Sequence, residues 1–325
     1  MNAISQIEST FVRRALVDGI RLDNRSLSQV REIGIKFSTS EYGVVDVHIG
    51  QTRVIVRISA EVTQPRPERP YDGIFLISSE ISPMAVPTYD TNKKTEEELV
   101  ISRIIEKSIR QSGALDLESL CIISAEKCWL VRADVNFLDH DGGLLDAACL
   151  AVSAALLHFR RPEVSIVGTG TKREVIVHPI SEKVPVPLAV LHAPICTTFS
   201  FFNLDLEQTG GAVSSSSAIS KHNEDEDEDM EDRQENIAIL VDATLQEEKL
   251  RHGFMAVTAN CNKEICQIYK AGELAVDGET LLNCAESAML VAERVTKLIN
   301  KKLKEDEKLR DVNGMLKEAR AENDR

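Results

Sequence analysis

The sequence predicts an α+β fold, in which mixed β-sheets are packed against covering helices. Several apolar stretches alternate with period two, as half-buried strands do, and three longer stretches follow the helical period of 3.6 residues. The strands fall into two groups along the chain, and each group is accompanied by a helix. This arrangement is typical of mixed sheets with helices on one side.

The strand pattern is clearest in two stretches. In residues 54–62, Val54, Val56 and Ile58 share one face, and polar side chains lie mostly on the other. Residues 128–138 repeat this alternation, with an apolar face that runs from Trp129 to Phe137. The remaining predicted strands lie within residues 44–50, 174–179, 187–202, 237–244, 254–260 and 264–270.

Three helices are predicted. Thr95 and Glu98 have capping-box spacing before the stretch "LVISRIIEKSIRQSG", which marks the start of the first helix. The second covers residues 144–159 and is apolar almost all round, so it is expected to be central. The third begins near Glu279, and the rising charge density beyond Lys301 predicts that it leaves the body of the domain.

Length and composition exclude several classes of protein. At 325 residues the chain is long enough for one large domain or two ordinary ones. No uncharged apolar run approaches the ~18 residues of a membrane span, and "MNAISQIESTFVRRAL" has no apolar core of a secretion signal. The seven cysteines lie mostly in apolar runs without a C-x-x-C pair. We therefore expect an intracellular protein with reduced thiols and no membrane partner.

Charge is unevenly distributed along the chain. The formal net charge is −14, but the segment from Asn203 to Asn236 holds eleven acidic and two basic residues. That segment is Ser-rich and then acidic, which predicts a disordered insert over residues 205–236 between two strands. The overall acidity therefore does not exclude nucleic acid as a partner of the remaining chain.

Metal and cofactor motifs are absent from the sequence. The seven histidines form no ligand pair at metal spacing, and His140 has only the adjacent loop acids Asp139 and Asp141. No phosphate-binding Walker loop, dinucleotide fingerprint or G-x-S-x-G motif is present. We expect neither a metal nor a cofactor.

A pair of glycines precedes the second predicted helix. Gly142 and Gly143 place bare backbone amides at a helix N-terminus, where phosphate groups commonly bind. The side chains that follow are Leu144, Leu145 and Asp146, two of them apolar and one acidic. From these residues alone, the turn is either a phosphate site or the remnant of one.

Two clusters of basic residues are candidate contacts for a phosphate backbone. Arg103, Lys107 and Arg110 fall within about 60° of one another on the first predicted helix, opposite its isoleucines. The spacing fits both a solvated helix face and a stripe that binds nucleic acid. Arg66 and Arg69 lie in a loop with three prolines, which fits both an ordinary charged turn and a stiffened RNA contact.

Several stretches resemble the RNase PH family, most closely the branch that forms the eukaryotic RNA exosome ring. They are residues 17–59, 75–85, 103–122 and 141–156, and the resemblance covers roughly residues 11–298. It implies an RNase PH-like domain, of the ribosomal protein S5 domain 2-like type, over residues 1–300. Residues 301–325 would then form a charged helical extension. Six such domains would close a ring around a central RNA channel.

The resemblance also implies that the glycine turn corresponds to the phosphate-binding turn of active relatives. In active relatives the helix after the glycines opens with threonine and arginine, which hold inorganic phosphate. The aligned positions here are Leu144 and Leu145, which offer phosphate neither charge nor a hydrogen bond. Asp139, Asp141 and Asp146 are expected to repel a dianion. The resemblance therefore implies a degenerate phosphate site over residues 142–146.

A second departure concerns the paired acidic residues of active relatives. Asp242 matches the first of the pair, but the chain has Arg251, His252 and Gly253 where the second is expected. Two independent losses imply a subunit without catalytic residues.

The leading hypothesis is a non-catalytic subunit of the hexameric exosome ring that scaffolds the complex and helps to form its RNA channel. Arg103, Lys107 and Arg110 match the channel-facing basic helix of relatives, and Arg66 and Arg69 are further candidates. The implied partners are other RNase PH-like subunits, a cap subunit with S1 and KH modules, exosome-associated ribonucleases and single-stranded RNA. The implied location is the nucleus, with the nucleolus, and the cytoplasm.

Two alternatives remain. One is an active phosphate-dependent 3′–5′ exoribonuclease, working alone or at a composite site with its partner. The other is a pure scaffold that never touches RNA.

Overall fold

The structure is a computed structural model that describes residues 5–87, 89, 94–168, 173–179, 182–203 and 237–310. The acidic insert predicted from composition and residues 311–325 of the predicted extension lie outside the described residues. None of the described helices combines the length and the apolar character needed to cross a bilayer.

The first part of the chain supplies three helices and six strands. They are α1 (Gln6–Val17), β1 (Ile33–Phe37), β2 (Val44–Ile49), β3 (Thr52–Thr63), β4 (Ile74–Ile81), α2 (Glu96–Gln111), a 3-10 turn (Glu118–Leu120), β5 (Cys121–Ile123), β6 (Lys127–Asp139) and α3 (Leu144–His158). The second part supplies β7 (Arg160–Arg161), β8 (Val164–Val167), β9 (Glu174–Val177), β10 (Val186–Pro187), β11 (Ile195–Asn203), β12 (Ile237–Val241), α4 (Leu245–Glu248), β13 (Gly253–Ala259), β14 (Ile265–Gly272) and α5 (Gly278–Arg310).

Two larger sheets form the body of the molecule. The first has the order β1-β2-β3-β6-β4, with β5 paired to β6; it is mixed, because β4 runs parallel to β6 and the other pairs are antiparallel. The second is antiparallel, with the order β12-β11-β13-β14. The predicted α+β class with mixed sheets is confirmed. The period-two faces of β3 and β6 are also confirmed, since Val54, Val56, Val131 and Val135 are buried.

Helix α3 lies between the two sheets. It packs on β2 and β3 of the first sheet and on β11 of the second, and all but one of its residues are buried. This position explains why the sequence is apolar all round: no face of the helix meets solvent. Helix α5 covers the other side of β11 and β13, and α2 packs on β4 and β14.

The charge density beyond Lys301 predicts that the C-terminal helix leaves the domain there, but the structure shows that the helix stays packed on the domain. Asp306 is buried and lies 3.2 Å from Nε2 of His158, at the end of α3. Nδ1 of His158 accepts a hydrogen bond from the backbone amide of Gly43, and the guanidinium of Arg310 lies over the ring of Tyr42. Asp306 and Arg310, in the last turns of α5, therefore hold this helix against the domain.

Helix α1 was not predicted from the sequence. Only Val12 and Leu16 of its residues are buried, and they pack against Phe202, Ala238 and Leu240 of the second sheet. So few buried positions give little periodic signal in twelve residues.

Candidate phosphate site and basic groove

The glycine turn is tightly packed against the loop that follows β12. Gly142 and Gly143 both have positive φ, at 81° and 66°, which favours glycine. A Cβ atom on Gly142 would lie 2.5 Å from the carbonyl oxygen of Ala243, so no side chain fits there. The turn is therefore shaped by this close approach.

The amide of Gly143 is already occupied by a carboxylate of the protein. Its N–H donates a hydrogen bond to Oε1 of Glu248, at 3.1 Å, and Arg251 lies 3.4 Å from the same oxygen. Burial raises the pKa of Glu248, although Arg251 and the Gly143 amide oppose that effect. A carboxylate at the N-terminus of α3 satisfies the backbone amide and the helix dipole, as a bound anion does in other proteins.

The residues after the turn point inward. Leu144 and Leu145 are buried in the main core. Asp146, expected from the sequence to repel an anion at the turn, instead accepts hydrogen bonds from the backbone amide of Thr198 at 2.9 Å and from its hydroxyl at 2.5 Å. Burial raises the pKa of Asp146 to about 7, even though Thr198 stabilises the charged form. Asp146 is thus a structural link between α3 and β11.

Asp242 is surrounded by arginines rather than exposed to a substrate. Its carboxylate accepts three hydrogen bonds from the guanidinium of Arg31, the shortest at 2.7 Å, and one from the Arg31 backbone amide at 2.8 Å. Arg25 lies 3.3 Å away. Burial alone would lower the pKa of Arg31, but the ion pair with Asp242 raises it above the ordinary value.

Arg31 also joins the Asp242 loop to the glycine turn, because it donates to the carbonyl oxygens of Asp141 and Gly142 at 2.7 and 3.1 Å. Arg21 binds the neighbouring carboxylate of Glu247 at 2.6 Å and the carbonyl oxygens of Val241 and Asp242. We call Arg21, Arg25 and Arg31 the arginine clamp. No motif or periodicity in the sequence indicates it, since all three arginines bind Asp242, which lies more than 200 residues away.

The inference that no second carboxylate accompanies Asp242 was wrong. Glu248 provides one at the glycine turn, whereas Arg251 and His252, at the position where it was expected, serve other partners. The reason is helix α4, whose capping box of Thr244 and Glu247 turns the chain immediately after β12. The spacing of Thr244 and Glu247 is a signal that could have predicted this short helix.

His140, considered as a metal ligand from the sequence, accepts a hydrogen bond from the Gly142 amide through Nδ1, at 3.3 Å. Burial lowers the pKa of His140. Within the described part of the chain, no three His, Cys, Asp or Glu side chains are grouped closely enough to hold a metal ion.

The basic residues of α2 are exposed. Arg103, Lys107 and Arg110 lie on the outer face of the helix, and Ile101, Ile104, Ile105 and Ile109 are buried beneath it. Arg110 lies 3.7 Å from Glu106, a pairing that leaves it 36% exposed.

The structure brings together two basic regions that are separate in the sequence. Arg66 and Arg69, both exposed, line one groove together with Arg110. Its other lining residues are Asp72, Gly73, Ile74, Phe75 and Leu117. We call this the basic groove. Arg69, one of the three arginines of the basic groove, lies 3.5 Å from the acidic side chain of Asp72, which also lines the groove.

Two family models match the chain. Residues 29–162 match domain 1 of the 3′ exoribonuclease family, RNase PH, and residues 192–290 match its domain 2. An Rrp45 component of the exosome complex from Schizosaccharomyces pombe is 48% identical over 91% of this chain and 89% of its own length. The Rrp45 component from Saccharomyces cerevisiae is 45% identical over 95% and 93%.

Solved structures confirm the fold. The chain superposes on a subunit of an Archaeoglobus fulgidus exosome with a TM-score of 0.68, at 23% identity, covering 90% of this chain and 97% of that one. A chain of an archaeal exosome core gives a TM-score of 0.62 at 22% identity, covering 90% and 96%.

The chain therefore belongs to the RNase PH family, and within it to the group of exosome components that the two yeast proteins represent. Residues 127–143 and 184–202 carry a narrower resemblance, to the exosome ring subunit of the forty-five type, and the two Rrp45 relatives confirm it. A fungal origin is consistent with these relatives.

Proposed function

We propose that this chain is a non-catalytic, RNase PH-like subunit of the exosome ring. The observation that supports the loss of catalysis is the glycine turn, where the Gly143 amide binds the Glu248 carboxylate and the next two side chains are buried leucines. A phosphate entering this turn would have to displace a carboxylate and would gain no side-chain donor from Leu144 or Leu145.

The proposed role of the subunit is to contact RNA within the ring channel. Five basic side chains are exposed: Arg66, Arg69, Arg103, Lys107 and Arg110. Three of them, Arg66, Arg69 and Arg110, line the basic groove. Phosphate contacts of this kind hold single-stranded RNA without reading its bases. The position of Arg66 and Arg69 beside Arg110 favours RNA binding at this surface over a helix face that is only solvated.

The proposed partners are other RNase PH-like subunits in a heterohexamer, a cap subunit with S1 and KH modules, exosome-associated ribonucleases and single-stranded RNA. The proposed locations are the nucleus, including the nucleolus, and the cytoplasm. The role in RNA processing and degradation is thus one of support for chemistry carried out by other subunits.

One experiment separates this proposal from its alternatives. The purified chain and the ring reconstituted with its RNase PH-like partners are tested for phosphate-dependent release of nucleoside diphosphates and for crosslinks to RNA. Crosslinks without release at this subunit support the proposal. Release that requires this subunit's own glycine turn would identify an active exoribonuclease, and the absence of both signals would identify a pure scaffold.

A further inference from the structure

The loop between β3 and β4 contains two consecutive turns that share Arg69. The backbone amide of Arg69 donates a hydrogen bond to the carbonyl oxygen of Arg66 at 2.9 Å, and the amide of Asp72 donates to the carbonyl oxygen of Arg69 at 3.4 Å. Each turn has a proline, Pro67 or Pro70, at its second position, where the fixed φ of proline suits a turn. The loop is therefore ordered by its own backbone.

The second turn is also attached to the body of the domain on both sides of Tyr71. The carbonyl oxygen of Pro70 accepts a hydrogen bond from the amide of Ala125 at 2.9 Å. The amide of Gly73 donates one to the carbonyl oxygen of Leu117 at 2.8 Å. The backbone of Tyr71 is therefore held in place, and only its side chain has freedom to lose when a ligand binds.

The side chain of Tyr71 is 65% exposed. Tyr71 is bonded directly to Asp72, which lines the basic groove together with Arg66, Arg69 and Arg110, so it stands at the border of that groove. An exposed aromatic ring beside several guanidinium groups is the combination that binds single-stranded nucleic acid, because the ring stacks on a base while the cations contact phosphates.

We propose that Tyr71 is a stacking platform for a base of single-stranded RNA whose phosphates are held by the basic groove. This inference rests on the RNA contact of the proposed function and adds to it a contact with a base. Three guanidinium groups and one carboxylate line the groove, and this surplus of positive charge favours a polyanion over a protein surface as the ligand. Every base has a face that can stack, so the contact increases affinity without selecting a sequence.

The test compares variants of Tyr71 in the assembled ring, with single-stranded oligouridine as the probe. Tyr71→Ala should weaken binding by about fivefold or more, because it removes the stack. The slope of log affinity against log salt should stay unchanged, because no charge is removed. Tyr71→Trp keeps an aromatic face and should bind at least as tightly as wild type.

Phe11 provides a matched control. It is 63% exposed, and it lies on α1, which packs against the second sheet. Phe11→Ala should change the affinity for oligouridine by less than about twofold, because it removes an equally exposed ring outside the groove.

A second probe separates stacking from phosphate contact. It is an oligonucleotide of the same length whose ribose units carry no bases. Tyr71→Ala should bind this base-free chain as wild type does, since only the contact with a base has been removed. In the unsubstituted ring, RNA that contains 5-iodouridine should form a photo-crosslink to Tyr71, located by mass spectrometry.

Equal affinity of Tyr71→Ala and wild type for oligouridine would overturn the proposal. An equal loss of affinity for both probes would also overturn it, because the substitution would then have acted on the loop and not on a base contact. Impaired ring assembly, with unchanged RNA affinity in the rings that form, would identify a protein contact in place of the stack.

The double variant Arg66→Gln with Arg69→Gln distinguishes this failure from failure of the proposed function. If the arginine variant weakens RNA binding and Tyr71→Ala does not, the stack alone is refuted. If neither variant changes RNA binding, the proposed RNA contact at the basic groove has failed as well.

Discussion

The carboxylate of Glu248 and the backbone amide of Gly143 are joined by a hydrogen bond of 3.1 Å, although the two residues are 105 positions apart. The turn that opens α3 therefore binds an anion that is part of the protein. An external phosphate must compete with this internal group, whose effective concentration is set by the fold. We therefore expect phosphate to bind weakly at this turn.

Replacing Glu248 with alanine should destabilise the fold by about 1–3 kcal/mol, because it leaves the Gly143 amide without its acceptor. It should not create phosphate-dependent activity, since Leu144 and Leu145 remain. Glu248→Gln keeps an acceptor oxygen and should cost less. Release of nucleoside diphosphates by a ring with Glu248→Ala would show that the carboxylate alone blocks catalysis, and would refute the proposed loss of the site.

Replacing Asp242 with alanine should cost about 3–5 kcal/mol of stability, because it leaves the buried guanidinium of Arg31 without its carboxylate. Decay by those rings that do assemble should be unchanged. The double variant Asp242→Ala with Arg31→Met removes both charges and should cost less than the sum of the two single substitutions. Urea unfolding of single and double variants measures this coupling, and purely additive effects would contradict the structural role.

Asp146 should make the protein less stable as pH rises from about 4 to 7. Burial raises its pKa in the folded state to about 7, above the ordinary value of 3.8, so the folded state binds the proton more tightly across this window. The difference in unfolding free energy between wild type and Asp146→Asn should shift against wild type by up to about 1.4 kcal/mol per pH unit. Parallel curves for the two proteins would show that Asp146 does not titrate there.

His158 should act in the opposite direction. Burial lowers its pKa to about 4 in the folded state, below the ordinary value of 6.5, while Asp306 partly opposes the shift. The stability that it contributes is present above pH 6.5 and is lost as pH falls towards 4, because the unfolded chain then takes up the proton first. His158→Gln should flatten this acid limb of the stability profile. An unchanged acid limb would mean that other groups account for it.

Reversing the α2 stripe with Arg103→Glu, Lys107→Glu and Arg110→Glu should weaken binding of single-stranded RNA by the assembled ring, to a similar degree for all sequences. The slope of log affinity against log salt should shrink by roughly 0.7 for each phosphate that the stripe no longer neutralises. The control is Lys297→Glu, Lys301→Glu and Lys304→Glu, which alters three exposed lysines of α5. Equal affinity and slope for the stripe variant and wild type would support a pure scaffold.

The elements predicted correctly are those whose buried positions follow a pattern within a short stretch of sequence. The alternating faces of β3 and β6 and the capping box of α2 depend on neighbours only a few positions away. The contacts of the glycine turn were not predictable in this way. Arg31 pairs with Asp242 across 211 positions, and no periodicity records such a pairing. The docking of Asp306 on His158 was missed for the same reason, because 148 positions separate them.

The arginine clamp has a consequence for biosynthesis. Arg21, Arg25 and Arg31 are translated early, but the loop that satisfies them, around Asp242, follows more than 200 residues later. At a synthesis rate of ~5–20 residues per second, the three cations wait on the order of 10–40 seconds for their partners. During that interval Asp23 is a carboxylate already available to Arg21 and Arg25, while the loop that carries Asp242 and Glu247 has not yet been made. The contacts that join the N-terminal segment to the Asp242 loop therefore form only after most of the chain has been synthesised.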